Sequence, residues 1–268
     1  MGNMKYRYKV TTNNSGTTIS QQDISTLYDI PNILYHFDTT GLVSNNANTF
    51  GTVDISNKVS RLNNLVPSST NHLTQSTSGY QPTLVGSGVT FNGNGNLFTF
   101  DSKFDLYYST IIIIYNPRLT ITTSSLAQHF LAYNTGEVHS SQLHLGGSKT
   151  LSIYDYVSPG TGDYELSTYS TTTINNNLHK FAVYSNDYVT MEVDDVSIGP
   201  LTDILNRSYR RIKPGQGTLL NVKYFGARFD NVARCLDGTF YEMMIFNREI
   251  NDAEKQYITT YIKNKYNI

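Results

Sequence analysis

The chain is expected to fold as an antiparallel β-sandwich closed by one C-terminal helix. Three observations carry that expectation. Tyr (21) and Phe (12) are abundant, Trp is absent, and only 15% of residues are charged; aromatic and β-branched side chains suit half-buried pleated surfaces. From Ile33 onward, short alternating or apolar runs recur between clusters of Gly, Asn and Ser, which is the spacing of a sandwich or jelly roll. Only the end of the chain, from Asn251, changes to helical periodicity.

Residues 1–30 differ from the rest. "TTNNSGTTISQQ" has almost nothing to bury, and Pro31 closes the segment, so it reads as an extended arm ordered only against a partner. A short strand is expected around Tyr6–Val10. Residues 31–268 then form one domain, for which 268 residues provide ample core. Ile33, Tyr35 and Phe37 alternate with Leu34, His36 and Asp38, predicting a strand. "PTLVGSGVTFNGNGNLFTF" reads as three strands punctuated by Gly86, Gly88, Gly93 and Gly95. "YYSTIIIIYN" is apolar on both faces, as expected for a central strand covered on both sides. "QLHLGG" with "TLSIYDY" predicts one hairpin, and "HKFAVYSNDYVTMEVDDVSIG" another across Ser185–Asp187. Asn251 with Glu254 forms a capping box, and Tyr257, Ile258, Tyr261 and Ile262 line one helical face.

Charge and cysteine content narrow the function classes. Twenty basic and 21 acidic residues leave a net charge of −1, against a nucleic-acid binder. Arg207, Arg210, Arg211 and Lys213 around Tyr209 make the one basic cluster, read as a solvated loop beside Pro214 and Gly215. Cys235 is alone, so no intrachain disulfide forms. No cationic and apolar leader opens the chain, and Ile111–Ile114 is far too short to span a membrane. These features point to a protein completed in a cytoplasm.

"LHKFAVYSNDYVTMEVDDVSIG" resembles the strand pair of concanavalin A-like, laminin-G-like jelly rolls, with their W-H-H-V-A-V-T-Y-D-G…L-Y-V-D-G pattern. "YFGARFDNVARCLDGTFYEMMIFNREINDAEKQYI" is similar to their closing F-x-G-x-I-D-E-V-R-I-Y-N-R-x-L-S-D-A-E signature and last helix. The opening "ILYHFDTTG…VSRLNNL…LTQSTSGYQPTLVGSGVTFNGNGNLF" resembles the version found in bacteriophage virion proteins and bacterial surface proteins. The resemblance covers about residues 31–268. The family's Trp is missing here, Leu178 or His179 stands at its first His, and Asp195 replaces the Gly after V-D. The resemblance implies a concanavalin A-like jelly-roll sandwich of two antiparallel sheets with a short C-terminal α-helix. Because that fold hosts many roles, function has to come from the site.

Glu192, Asp194 and Asp195 invite comparison with the E-x-D-x-x-E strand of retaining β-glucanases. Such enzymes need two carboxyl groups about 5–5.5 Å apart. Glu192 and Asp194 are read as sharing a strand face, but Val196 or Ser197 stands where the second glutamate belongs. No catalytic residue is assigned. Glu242 aligns with the family's acidic strand residue and is read as structural, paired with Arg248. "FNGNGN" lacks the third Gly and the helix of a nucleotide loop. His139 and His144 give a faint metal signal that exposed positions explain better, and no metal site is assigned. Ca²⁺ is the one cofactor admitted, through Asp163, Asp194, Asp195 and Asp203. Glycan contact is assigned to Tyr154, Tyr156, Tyr164 and Tyr169 around "SPGTGD", with Gln142 and His144 on the neighbouring strand, because rings stack on sugars and amides fix hydroxyls.

The expected role is a non-enzymatic structural, decoration or fibre protein of a tailed-bacteriophage virion, assembled in the host cytoplasm. It would display a lectin-like jelly roll for host attachment. Its expected partners are other virion proteins through the arm, further copies of itself and a cell-surface glycan, without nucleic acid or membrane. A glycoside hydrolase or a carbohydrate-binding adhesin of the same fold is the alternative.

Overall fold

A computed structural model describes residues 24, 26–118, 128–134, 139–146, 151–157, 164–167, 174–185, 189–198, 220–228 and 234–268. In chain order the strands are β1 (Ile33–Asp38), β2 (Asn46–Ala47), β3 (Gly51–Val53), β4 (Val59–Leu62), β5 (Leu73–Thr74), β6 (Thr83–Val85), β7 (Gly88–Asn92), β8 (Phe98–Leu106) and β9 (Ser109–Pro117). They continue with β10 (Gln128–Asn134), β11 (His139–Leu145), β12 (Leu151–Val157), β13 (Tyr164–Ser167), β14 (His179–Ser185), β15 (Val189–Val193), β16 (Val196–Ile198), β17 (Leu220–Phe225) and β18 (Asp237–Phe246). Helix α1 (Asp252–Tyr266) follows.

Two antiparallel sheets result. The eight-stranded sheet runs β16-β15-β14-β9-β18-β7-β6, with β1 pairing the later half of β18. The ten-stranded sheet runs β13-β12-β11-β10-β17-β8-β5-β4-β3-β2. This is the jelly-roll sandwich the sequence predicts. The inter-sheet core is aromatic: Phe37, Phe91, Phe98, Phe100, Tyr115, Phe130, Phe181, Phe225 and Phe240 are buried in it. A second apolar layer lies between the eight-stranded sheet and α1, where Ile112, Ile114, Ala182, Met244 and Phe246 meet Ile258 and Ile262.

Strand β9 has apolar residues on both faces because it serves both layers. Ile111, Ile113 and Tyr115 point between the sheets, while Ile112 and Ile114 face the helix layer. The simple alternation expected for β1 fails at its start. A register irregularity between Ile33 and Tyr35 sends Leu34 into the inter-sheet core and Ile33 to the helix layer. Residues 1–23, including the strand expected at Tyr6–Val10, lie outside the described residues. Leu27 and Ile30, at the end of the segment expected to be an arm, are buried in the helix layer, so the packed domain begins before Pro31.

Helix α1 starts at the predicted capping box. Glu254 N–H donates to the Asn251 side chain at 3.0 Å, and the Glu254 carboxylate accepts from Asn251 N–H at 2.8 Å. Asn267 ends the helix in the left-handed region, at φ 58°, a standard way to satisfy terminal carbonyls.

Candidate functional site

The two outer faces of the sandwich differ in what covers them. Helix α1 packs on the eight-stranded sheet. On the ten-stranded sheet, residues alternating with the core positions Leu143 and Leu145 of β11 point to the other side. Gln142 and His144 are two of them, and both are buried rather than exposed. His129 of β10 pairs with His144 across the strands, with ring centroids 5.0 Å apart. Ser152, opposite His144 on β12, is also buried.

Hydrogen bonding within this group is unequal. His129 Nδ1 lies 3.0 Å from the Arg234 carbonyl, which only accepts, so Nδ1 carries a proton. Burial holds His129 at a pKa of about 4, so at neutral pH its Nε2 is a bare acceptor. The Gln142 side-chain amide is the partner of that nitrogen. His144 is different. Its Nδ1 is sealed from solvent with no hydrogen-bond partner among the described residues, and the residue retains only 8% exposure. Burial first, then the neighbouring His129 and the charges of Arg234 and Arg228, lower its pKa to about 3. A buried polar group without a partner costs about 1–3 kcal/mol, so such a group calls for a reason.

Of the tyrosines expected to contact a glycan, three lie on strands beside this group. Tyr154 stands opposite Gln142 and Tyr156 opposite Ser140, so positions 154 and 156 share the backbone face of Gln142 and His144. Position 164 pairs with Asp155 and falls on the alternate face. The side chains of Tyr154, Tyr156 and Tyr164, and the whole of Tyr169, lie outside the described residues. So does the Arg207–Lys213 cluster. Elsewhere on the same outer face, Thr52, Ser60, Arg61, Thr74 and Thr99 line an open groove of about 540 Å³.

Asp194 and Asp195 are bonded within the protein. "MEVDDVSI" is a hairpin, not one strand: β15 ends at Val193, and Asp194 and Asp195 form the turn at φ 53° and 65° before β16. Two central residues with positive φ are what a type I′ two-residue hairpin requires, and short Asp side chains tolerate it where the family uses Gly. Asp194 then accepts from Lys180 N–H at 2.9 Å and contacts His179 Nδ1 at 2.6 Å. Asp195 pairs with Lys180 and, at 3.1 Å, with Lys263. Both carboxylates are thus engaged by lysines and a histidine. Asp163 and Asp203 lie outside the described residues.

Glu242 does not meet Arg248. The guanidinium of Arg248, beyond the end of β18, forms two bonds to Glu254 at the start of α1, at 2.8 and 2.6 Å. Glu242 points from β18 under the helix and has no exposed surface. Its Oε1 meets His36 Nε2 at 2.7 Å and accepts from Tyr261 OH at 2.8 Å; its Oε2 accepts from Lys265 at 2.9 Å and Tyr266 OH at 2.6 Å. Burial alone would raise its pKa, but the bond to and charge of His36, then Lys265 and Tyr266, hold it at about 2. His36, Asp38 and Glu242 offer atoms within 4.8 Å of one another, a spacing that could hold a metal ion. The Lys265 ammonium already bridges the two carboxylates, at 2.7 Å from Asp38. The cation position is thus occupied by the protein itself.

No family model matches the chain, and no curated protein matches it. Solved structures do. The chain is similar to Trypanosoma rangeli sialidase in complex with 2,3-difluorosialic acid (a covalent intermediate), at 12% identity and a TM-score of 0.53 over 88% of this chain and 34% of the sialidase. A second complex of that sialidase, with 2,3-difluoro-KDN, gives 11% identity, a TM-score of 0.52 and the same coverage. Ruminococcus gnavus IT-sialidase CBM40 bound to α2,3-sialyllactose gives 14% identity and a TM-score of 0.44 over 64% of this chain and 95% of the module. The chain spans about a third of the length of the T. rangeli enzyme. At such identities the likeness concerns the fold, a lectin-like β-sandwich.

Proposed function

We propose that this chain is a non-enzymatic carbohydrate-binding jelly roll of a bacteriophage particle, a structural or decoration protein that meets host-surface glycans. The observation that carries the binding reading is His144: a buried imidazole whose Nδ1 has no partner among the described residues, beside Gln142 on the sheet face opposite the helix. Neutral imidazoles and amides are suitable partners for sugar hydroxyls. The particle assignment rests on the resemblance of the opening segment to virion proteins, with residues 1–23 as the attachment to other virion proteins or further copies.

Hydrolysis has weaker support. Asp38 and Glu242 are close together, but Lys265 bridges them and the helix tyrosines saturate Glu242. A general acid has to reach a glycosidic oxygen, and these carboxylates lie beneath α1. Screening the full chain on a glycan array, followed by titration of the hits, tests the reading. Saturable binding that falls about 10-fold or more in Gln142→Ala is expected. Release of reducing sugar, or an array without hits, would overturn it.

A further inference from the structure

We propose that the groove at the β3–β4–β5–β8 end of the ten-stranded sheet binds a carboxylate-bearing sugar, with Arg61 receiving the carboxylate. The proposal rests on the carbohydrate-binding reading but places a second site. Cross-strand pairing sets a row of residues over the outer face: Thr52, Arg61, Thr74 and Thr99 stand opposite one another in turn. Their chain neighbours Val53, Leu62, Leu73, Phe98 and Phe100 belong to the inter-sheet core, so the row points away from it. The same register runs on through Tyr224 and Ala132 to Gln142. Gln142 is five strand spacings from Arg61, or about 24 Å. The groove is therefore separate from the His144 group.

The first support is a prepared guanidinium. Arg61 Nε donates to the Asn63 side-chain oxygen at 2.7 Å, and the Asn63 amide donates to the Asn48 and Thr49 carbonyls at 3.1 and 3.2 Å. The side chain is held at Nε, while its two terminal NH₂ groups have neither an acceptor nor an ion pair among the described residues. That free pair is the fork that meets both oxygens of a carboxylate with parallel hydrogen bonds. The second support is the lining. Thr52, Ser60, Thr74, Ser76 and Thr99 surround Arg61 with hydroxyls in a groove of about 540 Å³, a size that takes a small ligand. Hydroxyls both donate and accept, as those of a sugar do. The hydroxyls of Thr52, Ser76 and Thr99 have no hydrogen bond among the described residues. Arg61 is also the one charged group among the described residues of that lining. Asp101, two positions along β8 from Thr99, is engaged elsewhere, by the Thr74 hydroxyl at 3.2 Å and His72 N–H at 3.1 Å. The Asp195 turn is the contrast. There a cavity of about 370 Å³ is lined by Lys180 and Lys263, and Asp195 pairs with both. A neutral sugar would leave the Arg61 fork idle, whereas an acidic one engages the fork and the hydroxyls together.

Calorimetric titration of the full chain with trigalacturonate and with N-acetylneuraminate, each compared with its own methyl ester, provides the test. The ester keeps the sugar and removes the charge. At least one acid should bind about 10-fold or more tightly than its ester, with affinity falling as salt rises. Arg61→Gln should erase that preference. Arg61→Lys, which keeps the charge and loses the fork, should retain only part of it, with thermal unfolding of both variants as the check on folding. Gln142→Ala should leave the preference intact. Acid and ester bound equally, a preference kept in Arg61→Gln, or one lost in Gln142→Ala overturns the groove assignment and leaves the glycan reading standing. Binding of neutral glycans alone does the same. No sugar bound by any form of the protein defeats both.

Discussion

The two outer faces of this sandwich each bury a histidine in a polar group, yet they treat it in opposite ways. Beneath α1, His36 has both ring nitrogens engaged: Nε2 meets Glu242 at 2.7 Å and Nδ1 meets the Tyr28 hydroxyl at 2.9 Å. Glu242, its partner, has every strong acceptor site filled by side chains of the helix and the sheet. On the ten-stranded sheet, His144 is nearly as buried and Nδ1 has no partner among the described residues. A saturated polar network fixes one element to another. An unsatisfied one carries a cost that stability alone would not retain.

The largest expected effect comes from breaking the saturated network. Glu242→Ala removes the acceptor for Lys265, His36, Tyr261 and Tyr266 at once, and truncating a buried charged partner typically costs about 3–5 kcal/mol. Urea unfolding should show that loss, whereas glycan binding by whatever fraction remains folded should be unchanged.

Acid titration separates the two faces next. Folded-state pKa values of about 4 for His129 and about 3 for His144 lie below the ordinary 6.5. The unfolded chain therefore takes up these protons first, and stability falls as pH drops below 6.5, by up to about 1.4 kcal/mol per pH unit for each imidazole. Glu242 acts in a lower window. With its pKa reduced from 4.5 to about 2, its contribution is complete above 4.5 and is lost as pH falls towards 2. Equilibrium unfolding across this range should thus show two regions of loss, and His144→Gln should flatten the upper one only.

Smaller effects belong to the hairpin turn. Asp194→Asn keeps the small turn side chain but weakens the contacts with His179 and Lys180, for a loss of about 1 kcal/mol in thermal unfolding. Glu192→Gln, on a half-buried strand position, should stay within about 0.5 kcal/mol of the parent.

What the sequence disclosed follows from the range of each interaction. The double-faced Ile111–Ile114 run, the Asn251–Glu254 cap and the hairpin pairings are local patterns, and all are readable. Arg248 suggested itself for Glu242 because it is six residues away, but the partners that matter, His36 and Lys265, come from the first strand and the last helix turn. "QLHL" places Gln142 and His144 on one face without revealing that the face is buried there. His129 went unmarked, because only the β10–β11 register brings it beside His144. The Asp194–Asp195 turn was hidden because a pair of aspartates is a weaker turn signal than Asn-Gly or Asp-Gly.

Imidazole nitrogen NMR on the full chain, with and without a saturating glycan, tests most directly whether the unsatisfied face is the binding face. The His144 and His129 nitrogens should shift on binding as the idle Nδ1 gains a partner, while those of His36, already bonded on both sides, should stay in place. Shifts at His36 with silence at His144 would place the ligand on the helix side and contradict the assignment.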